Sequence, residues 1–523
     1  MVTAQRPMIL YGPDGQPLRR RSSYRQSLAA EFTQQVIRAR YDAAQTTTYN
    51  ENHWANADRL DPHSANSLSV RRTLRSRSRY EVIENNPFLK GLILTIANDF
   101  VGSGPKLQIT DERIPVEVRK VIQQKWAQWM KLAKLRRKLW RMRVAKITDG
   151  ETFLRAYSNG RLRDPVKLDF QVLEADMISS QDTTAGIRRE GPTPYEIDGV
   201  RFDKWENPLA YHVLNYHPGG SAYWTANLIG GNWIDANNII HWFRQDRGWL
   251  RGIPETTPSL PLCSILRRYT LAVLHHKEFA ADFTGILETE GPASVAQWTD
   301  GQGNLVDDDP FDTFPIDKGL FTRLPWGYKM KQMEAVPDGV AYDEFVGSIL
   351  REITRPLLAT FNIAAGTSKD SNMASGILDQ HLYKGGQESE RFDAEDEVLD
   401  PIFSLWWNEA LLVPGYFTPG MRSLISRVDP PIHTWRWDPV GIEHTDPAKV
   451  AQALQILHDK GFLLDRDIQE GRFNRSLEEW RDAYEEQMEW REEVEPTPEP
   501  PALPGQEAPG DAEEPEDSEG SED

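Results

Sequence analysis

The sequence predicts an α+β protein in which antiparallel β-structure is set between long helices. Three observations predict it. Apolar residues recur at helical spacing over 115–149, 259–283, 342–361, 375–412 and 446–490. Between residues 150 and 243 they follow strand periodicity instead, strictly so at Val166, Leu168, Phe170 and Val172. Turn clusters such as Ser158-Asn159-Gly160 and Pro218-Gly219-Gly220 cut that second region into lengths suited to hairpins.

In chain order, residues 1–40 are polar and basic, with Arg19-Arg20-Arg21 beside Pro and Gly, and read as a flexible arm. Residues 66–101 read as partly buried helix, ended by Gly102-Ser103-Gly104-Pro105. From Pro115, Val118, Val121, Ile122 and Trp129 form one apolar stripe, and Leu132, Leu135, Leu139 and Met142 form a second. Lys134, Arg136, Arg137, Lys138, Arg141 and Arg143 are expected to cover much of the remaining surface. Asp149-Gly150 ends the helical signal. Thr152–Tyr157 is a strand. Tyr211–Leu214 is expected to pair with a return strand over Trp233–Phe243.

Ser259–Phe283 is helical. Residues 284–340 hold short strands and an acidic loop over Asp307–Asp312. Tyr342–Phe361 is a helix with Phe345, Ile349, Ile353 and Leu357 on one side, which Pro356 should kink or end. A polar loop follows over 362–374. Helix then returns through Leu378 and Leu382, is loosened at Gly385-Gly386, and resumes to about Leu412. Asp446-Pro447 is an N-cap with proline at the first helical position, and Gly461 is a stop. Ser476 to Glu479 is a capping box, and Leu477, Trp480, Tyr484 and Met488 make the next stripe.

With 523 residues the chain can hold two to four domains. No apolar run approaches the ~20 residues of a membrane helix. The opening residues lack a signal-peptide apolar region. One cysteine, Cys263, excludes an intrachain disulfide and a cysteine-based zinc site, and its apolar helical setting makes it a core thiol. These features point to assembly in cytoplasm. The net charge of -19 is segregated. Glu492–Asp523 carries 13 acidic and no basic residues, whereas Val70–Arg163 is strongly basic. The tail composition is that of disorder. A basic body suggests a polyanionic partner or an electrostatic role in assembly, set against a solvated helix face.

Catalytic patterns are missing. No GxxxxGK[ST], HExxH or GxSxG string occurs. His275 and His276 point about 100° apart on a helix and do not make a metal pair. Asp307-Asp308-Asp309 reads as an exposed acidic loop, and Trp406-Trp407 as core. No cofactor and no metal is expected, and the chain is not read as an enzyme.

Five strings, in order, resemble the lambda-type bacteriophage portal proteins over roughly residues 40–490. The first runs from Asn66 through Arg71-Arg72, Leu74-Arg75, Arg77, Arg79 and Asn85-Asn86 to Gly104. The second is Ile197-Asp198-Gly199 through Phe202-Asp203 to Asn207-Pro208 and Val213. The third is Asn238–Pro254, whose Gly248, Gly252 and Pro254 mark a strand-to-stem junction, with Arg244, Arg247 and Arg251 riding on the turn. The fourth is Asn372–Ser375. The last joins Trp437, Pro439, Asp446-Pro447, Gln452-Ala453 and Glu470-Gly471. Met373-Ala374 and Gly376 depart from the family pattern, and Pro356 interrupts a helix that relatives continue.

The resemblance implies a portal fold with an α/β wing, helical stem, small mixed clip and helical crown, assembled as a ring that is twelve-fold in virions. On this chain the wing is 41–258 with a return over 413–440. The stem helices are 259–283 and 341–361, flanking the clip at 284–340. The tunnel loop is 362–374, the long kinked helix 375–412, the crown 441–495 and the disordered tail 496–523. The implied DNA-facing residues are Gly366, Thr367, Ser368, Lys369, Asp370, Ser371 and Asn372. Asp307, Asp308, Asp309 and Asp312 are the implied terminase-docking residues. Implied partners are further copies of the chain, double-stranded DNA, the terminase large subunit, capsid and scaffolding proteins, and head-completion or tail-connector proteins, with no membrane. The implied location is the capsid vertex of a virion. Two other classes compete: a sequence-nonspecific DNA-binding protein using the basic helices of 119–146, and a nucleic-acid-processing enzyme with a carboxylate metal site.

Overall fold

The computed structural model describes residue 48 and residues 51–180, 188–189, 195–220, 230–282, 286–289, 298–299, 305–306, 328–331, 339–367, 373–428, 430–437, 447–465, 468–469 and 477–494. The chain divides into two compact units, Met1–Ala65 and Asn66–Asp523. In the described part of the first, one helical turn, Pro62–Ala65, is capped by Asp61, whose carboxylate accepts from the His63 and Ser64 amides. The arm expected over 1–40 and the tail over 496–523 lie outside the described residues.

The second unit opens with α1 (Leu68–Ser78), which runs into a π-helical stretch, Arg79–Asn85. Asn86 then caps α2 (Pro87–Val101), accepting from the Leu89 amide at 3.3 Å, with Pro87 at the first helical position. Leu89, Leu92, Ile93, Ile96 and Phe100 lie along one buried stripe of α2. After β1 (Lys106–Ile109) come α3 (Val116–Leu132) and α4 (Leu135–Asp149), joined by Lys134 in the left-handed conformation. Helix α3 buries Val118, Ile122, Trp126 and Trp129, and α4 buries Leu135, Leu139 and Met142. Both expected stripes are therefore largely core, with Trp126 added and Val121 and Leu132 only half-buried.

Eight strands follow: β2 (Glu151–Ser158), β3 (Leu168–Leu173), β4 (Arg188–Arg189), β5 (Tyr195–Ile197), β6 (Val200–Phe202), β7 (Pro208–Leu214), β8 (Gly231–Asp235) and β9 (Ile239–Phe243). They form two antiparallel sheets, in the orders β3-β2-β9 and β4-β5-β6-β7-β8. The return strand expected over Trp233–Phe243 is thus two strands. A 3-10 turn at Ala236–Asn238 breaks it, and β9 leaves β8 to pair with β2. In β3 the alternation is incomplete. Asp169 is buried because Tyr157, Asn159 and Lys138 all donate to its carboxylate.

Helix α5 (Leu260–Asp282) leads to two antiparallel ribbons. One pairs β10 (Ile286–Thr289) with a later strand, and the other pairs β11 (Trp298–Thr299) with β12 (Leu305–Val306). The partner of β10 is β13 (Tyr328–Lys331). Next come α6 (Gly339–Thr354), α7 (Phe361–Ala365) and α8 (Met373–Ala394). Proline does end α6: Arg355–Leu357 tightens to a 3-10 turn and Leu358 turns left-handed. The buried side of α6 is Val346, Leu350 and Ile353, whereas Phe345 is exposed. Both stripes are apolar, so spacing alone did not choose between them.

Gly385-Gly386 does not loosen α8. A Cβ at position 386 would stand 2.8 Å from Leu358 Cβ, so glycine is there to let the two segments touch. The irregularity comes later, as a π-helical stretch at Glu395–Leu399 entering α9 (Asp400–Leu412). Pro401 cannot donate backward and crowds the Glu397 carbonyl, which explains the altered ladder. The described chain closes with α10 (Pro419–Ile425), β14 (His433–Arg436, paired with β1), α11 (Pro447–Asp459) and α12 (Leu477–Val494). Asp446 and Ser476, the expected caps, lie outside the described residues.

Among the described residues, three apolar cores hold the second unit. The largest centres on Trp126, Trp129, Trp406 and Trp407, all fully buried, with α3, α4, α9 and the β3-β2-β9 sheet around them. A second joins α2, the base of α5, and α6, and contains Cys263, whose thiol burial pushes up to about 12. The third lies under the five-stranded sheet.

Candidate functional site

The segment Asn238–Pro254 is the hinge of the molecule's polar interior. Strand β9 delivers it to Leu250–Ile253, which crosses the end of α4 at very close range. A Cβ at Gly150 would meet the Ile253 carbonyl carbon at 2.0 Å, and one at Gly252 would meet the Gly150 oxygen at 2.2 Å. Only glycine at both positions permits this crossing. Residues 254–259 then lead into α5, with Glu255 N donating to Ile147 O at 3.1 Å and Thr256 Oγ1 2.8 Å from Ser78 Oγ.

Under this crossing lies a buried set of four arginines and four carboxylates. Arg71, Arg75 and Arg79 recur every four residues, one helical face of α1 and its π continuation. Arg71 Nη2 is 2.5 Å from Asp198 Oδ2. Arg75 donates to Glu151, to Asp176 at 3.1 Å and to the Asp149 carbonyl at 3.1 Å. Arg79 grips Asp149 with Nε at 2.7 Å and Nη2 at 2.9 Å, and reaches Asp176 at 2.7 Å. Arg251 comes from the crossing segment, with Nη2 2.7 Å from Glu151 Oε1 and Nε 2.9 Å from Oε2. Its Nη1 is 3.4 Å from Asp198 Oδ2.

Glu151 is the centre of the set. It also accepts from the Gly252 amide at 3.0 Å and faces His241 Nε2 at 3.1 Å. Burial would raise the Glu151 carboxyl, but Arg251 and Arg75 outweigh it and hold the group well below the usual range. The same balance lowers Asp176, through Arg75 and Arg79, and Asp198, through Arg251 and Arg71. Burial and the like charge of Arg251 push Arg71 down to about 10. Burial lowers His241 despite its carboxylate partner.

A second buried set ties α4 to α8. Arg143 Nη1 is 2.9 Å from Glu255 Oε1. Lys146 Nζ lies 2.9 Å from Glu390 Oε2 and 2.8 Å from Asp393 Oδ2, and 4.3 Å over the Trp242 ring. The indole of Trp242 donates to the same Asp393 oxygen at 2.7 Å. Part of the positive charge in residues 70–163 is therefore internal. Arg143, expected on the surface, is buried, as are Arg71, Arg75 and Arg251. Arg247 does lie exposed on the turn.

Beyond this base the helices carry apolar residues outward. Helix α5 buries Leu260, Cys263 and Leu266 only near its start. Further along, Tyr269 stacks on Tyr342 of α6 at 5.9 Å and meets Phe345 edge-on at 4.9 Å. Leu271 and Leu274 are exposed. On α8, Leu378, Leu382 and Phe392 span an arc of about 80° on the helix circle. They are 62%, 56% and 65% exposed, too open for core residues of this size, and lie on one outward side of the helix.

Of the expected loop residues, Gly366 and Thr367 are described: Gly366 is left-handed and ends α7, and Thr367 is exposed. Ser368, Lys369, Asp370, Ser371 and Asn372 lie outside the described residues, as do Asp307, Asp308, Asp309 and Asp312. Among the described residues no group of three or more His, Cys, Asp or Glu side chains is placed to hold a metal ion. His275 is exposed and pairs with Glu278 at 3.3 Å. No described helix is long and apolar enough to cross a membrane. The ion-pair residues were the ones missed by sequence reasoning. The four-residue recurrence of Arg71, Arg75 and Arg79 was the available signal.

Residues 51–376 match the family described as phage portal protein, lambda family. The probable portal protein of Halomonas phage phiHAP-1 is 24% identical over 404 residues, 73% of this chain and 73% of that one. Two solved chains overlap the structure, each 14% identical and covering 76% of this chain and 92% of the other. One is from the neck of an empty gene transfer agent particle, at a TM-score of 0.41, and one from the neck of the native particle, at 0.38.

Proposed function

Because the chain belongs to the lambda family of phage portal proteins, we propose that twelve copies close into a ring at one capsid vertex and that double-stranded DNA enters and leaves the head through it. The ring is a structural conduit and not an enzyme. It is assembled in the host cytoplasm and retained in the virion. The observation that carries this reading is the outward apolar stripe of α8, with Leu271 and Leu274 on α5. Helices that bury one face at their base and expose leucine and phenylalanine beyond it are suited to a neighbouring copy. Two different faces meeting head to tail generate a ring when the rotation closes.

The wing is residues 41–258 with the return over 413–440, and the stem helices are 259–283 and 341–361. Residues 284–340 form the clip, which takes the terminase large subunit, and 441–495 the crown. Capsid, scaffolding and head-completion proteins meet the outer surfaces of the ring. The loop over 362–374 faces the lumen. A DNA channel must not grip its cargo, since each neutralised phosphate makes release more costly. Asn362–Ala374 holds one Lys and one Asp among small residues, so its net charge is near zero. Salt screens what a single Lys369 per copy could exert.

Light scattering on the purified chain is expected to give a closed oligomer of ten or more copies, and electron microscopy a ring with a central hole. A monomer at micromolar concentration and moderate salt would defeat the proposal. A map that puts residues 366–372 on the outer rim would defeat the loop assignment alone.

A charge-reversal test addresses the clip. Residues 300–318 contain six aspartates and one lysine. Changing Asp307, Asp308 and Asp309 together to Lys is expected to weaken terminase association and cut DNA packaging while rings still form. Unchanged packaging by that triple variant would make the acidic loop a bystander.

A further inference from the structure

We propose that the acidic segment Glu492–Asp523 of this chain lies over the basic outer face of α3 and α4 and screens that face from nucleic acid. The face is defined by what it lacks. Residues 118–148 contain 11 Lys and Arg and no Asp or Glu. Part of that charge is used internally: Arg143 and Lys146 are buried in ion pairs, and Lys138 pairs with Asp169. Lys131, Lys134, Arg137 and Arg141 remain exposed. Lys134, Arg137 and Arg141 are spaced to share one side of α4.

These cations also sit badly for the helix that carries them. The first turn of α4 has no acidic residue, and its N-terminal cap makes no side-chain hydrogen bond. The positive end of the helix dipole is therefore crowded by like charge, which an anion would relieve. Beside it, Arg136, Arg137 and Trp140 line a cleft with Asn98, Val101 and Gly102. Arg136 Nε donates to Gly102 O at 2.9 Å and the Trp140 indole to Asn98 Oδ1 at 2.9 Å, fixing the walls.

The occupant follows from where α12 lies. Asp482 Oδ2 on α12 is 2.5 Å from Lys120 Nζ on α3, so the helix leading into the acidic segment is already on this side of the molecule. From Asp482 to Val494 is about 18 Å of helix, and Lys120 to Lys131 on α3 is about 17 Å. The residues past Val494 can span far more than the remaining gap, at up to ~3.3 Å each. Glu492–Asp523 offers 13 carboxylates and no cation. Such a segment cannot bury apolar surface of its own, but it can neutralise a cationic face by proximity. Duplex DNA is the competing occupant, and the test separates the two.

Binding of a random-sequence duplex is measured by fluorescence anisotropy at low salt. The full chain is compared with a chain ended after Val494 and with a full-length chain whose acids from Glu492 onward are changed to amides. Both variants are expected to bind about tenfold more tightly or better, with a steeper salt dependence. Adding Arg137→Glu and Arg141→Glu to either should return it to the full-chain level. A synthetic peptide of residues 492–523 should compete with the duplex on the truncated chain. Equal affinity of full and altered chains would overturn the proposal. So would a gain in affinity that the two reversals leave untouched, because DNA would then be binding elsewhere.

Discussion

Replacing Glu151 with alanine is expected to cost about 3–5 kcal/mol of stability, the range for removing one partner from a buried ion pair. Glu151 is completely buried and receives Arg75, Arg251 and the Gly252 amide. Its loss leaves four guanidinium groups facing three carboxylates, with Arg71, Arg75 and Arg251 fully buried. The remaining carboxylates cannot move to compensate, since Asp198 is held by Arg71 and Asp149 by Arg79. Chemical denaturation should show a lower midpoint with an unchanged slope. Glu174→Ala is the control: that residue is well exposed beside Arg79, and exposed pairs contribute little. If the two variants unfold alike, the buried set is not what holds α1 to the sheet. Acid should act in the same direction as the mutation. Glu151, Asp176 and Asp198 all have lowered native values, so the stability they contribute is present above about pH 4.5. It is lost as the pH falls through those native values.

Leu378→Asp combined with Leu382→Asp is expected to abolish assembly while leaving each chain folded. Both side chains are more than half exposed in the isolated chain, so aspartate there breaks no internal packing. In a ring each would be covered by a neighbour. Burying one leucine is worth about 1.5–3 kcal/mol, and placing a carboxylate there adds a desolvation penalty. A closed ring repeats that loss at every interface. The double variant should elute as a monomer with an unchanged circular dichroism spectrum, and particles made with it should contain no DNA. Full-sized rings from this variant would place the subunit interface on another surface.

Much of this architecture can be read from local pattern. The stripe Leu89, Leu92, Ile93, Ile96 is legible because an amphipathic helix writes its buried face every three or four residues. Trp406-Trp407 and Cys263 are likewise core by their setting. What local pattern does not contain is pairing across distance. Arg251 looks like a surface charge until Glu151 and Asp198 are brought beside it from 100 and 53 residues away. The division of Trp233–Phe243 into two strands is of the same kind, since β9 is claimed by β2 and not by its sequence neighbour. On α6, two adjacent stripes are both apolar, and only the presence of α2 and α5 in the same core selects Val346 and Leu350 over Phe345. The expected loop and clip residues are legible only as polar and acidic runs, which carry no role by themselves.

Mechanically, α5 is a cantilever. Its 23 residues make a rod of about 35 Å, yet it is seated in the body by little more than its first two turns. A sideways push at the far end is multiplied into torque at the root, where Leu250–Ser259 crosses α4. Greasy contacts alone yield to torque by sliding, because they have no preferred direction. The guanidinium–carboxylate contacts at that root are directional, with Arg251 and Arg75 both donating to Glu151. A thrust at one end of the rod would load these contacts first, and through Glu151 and Asp198 it would reach both sheets.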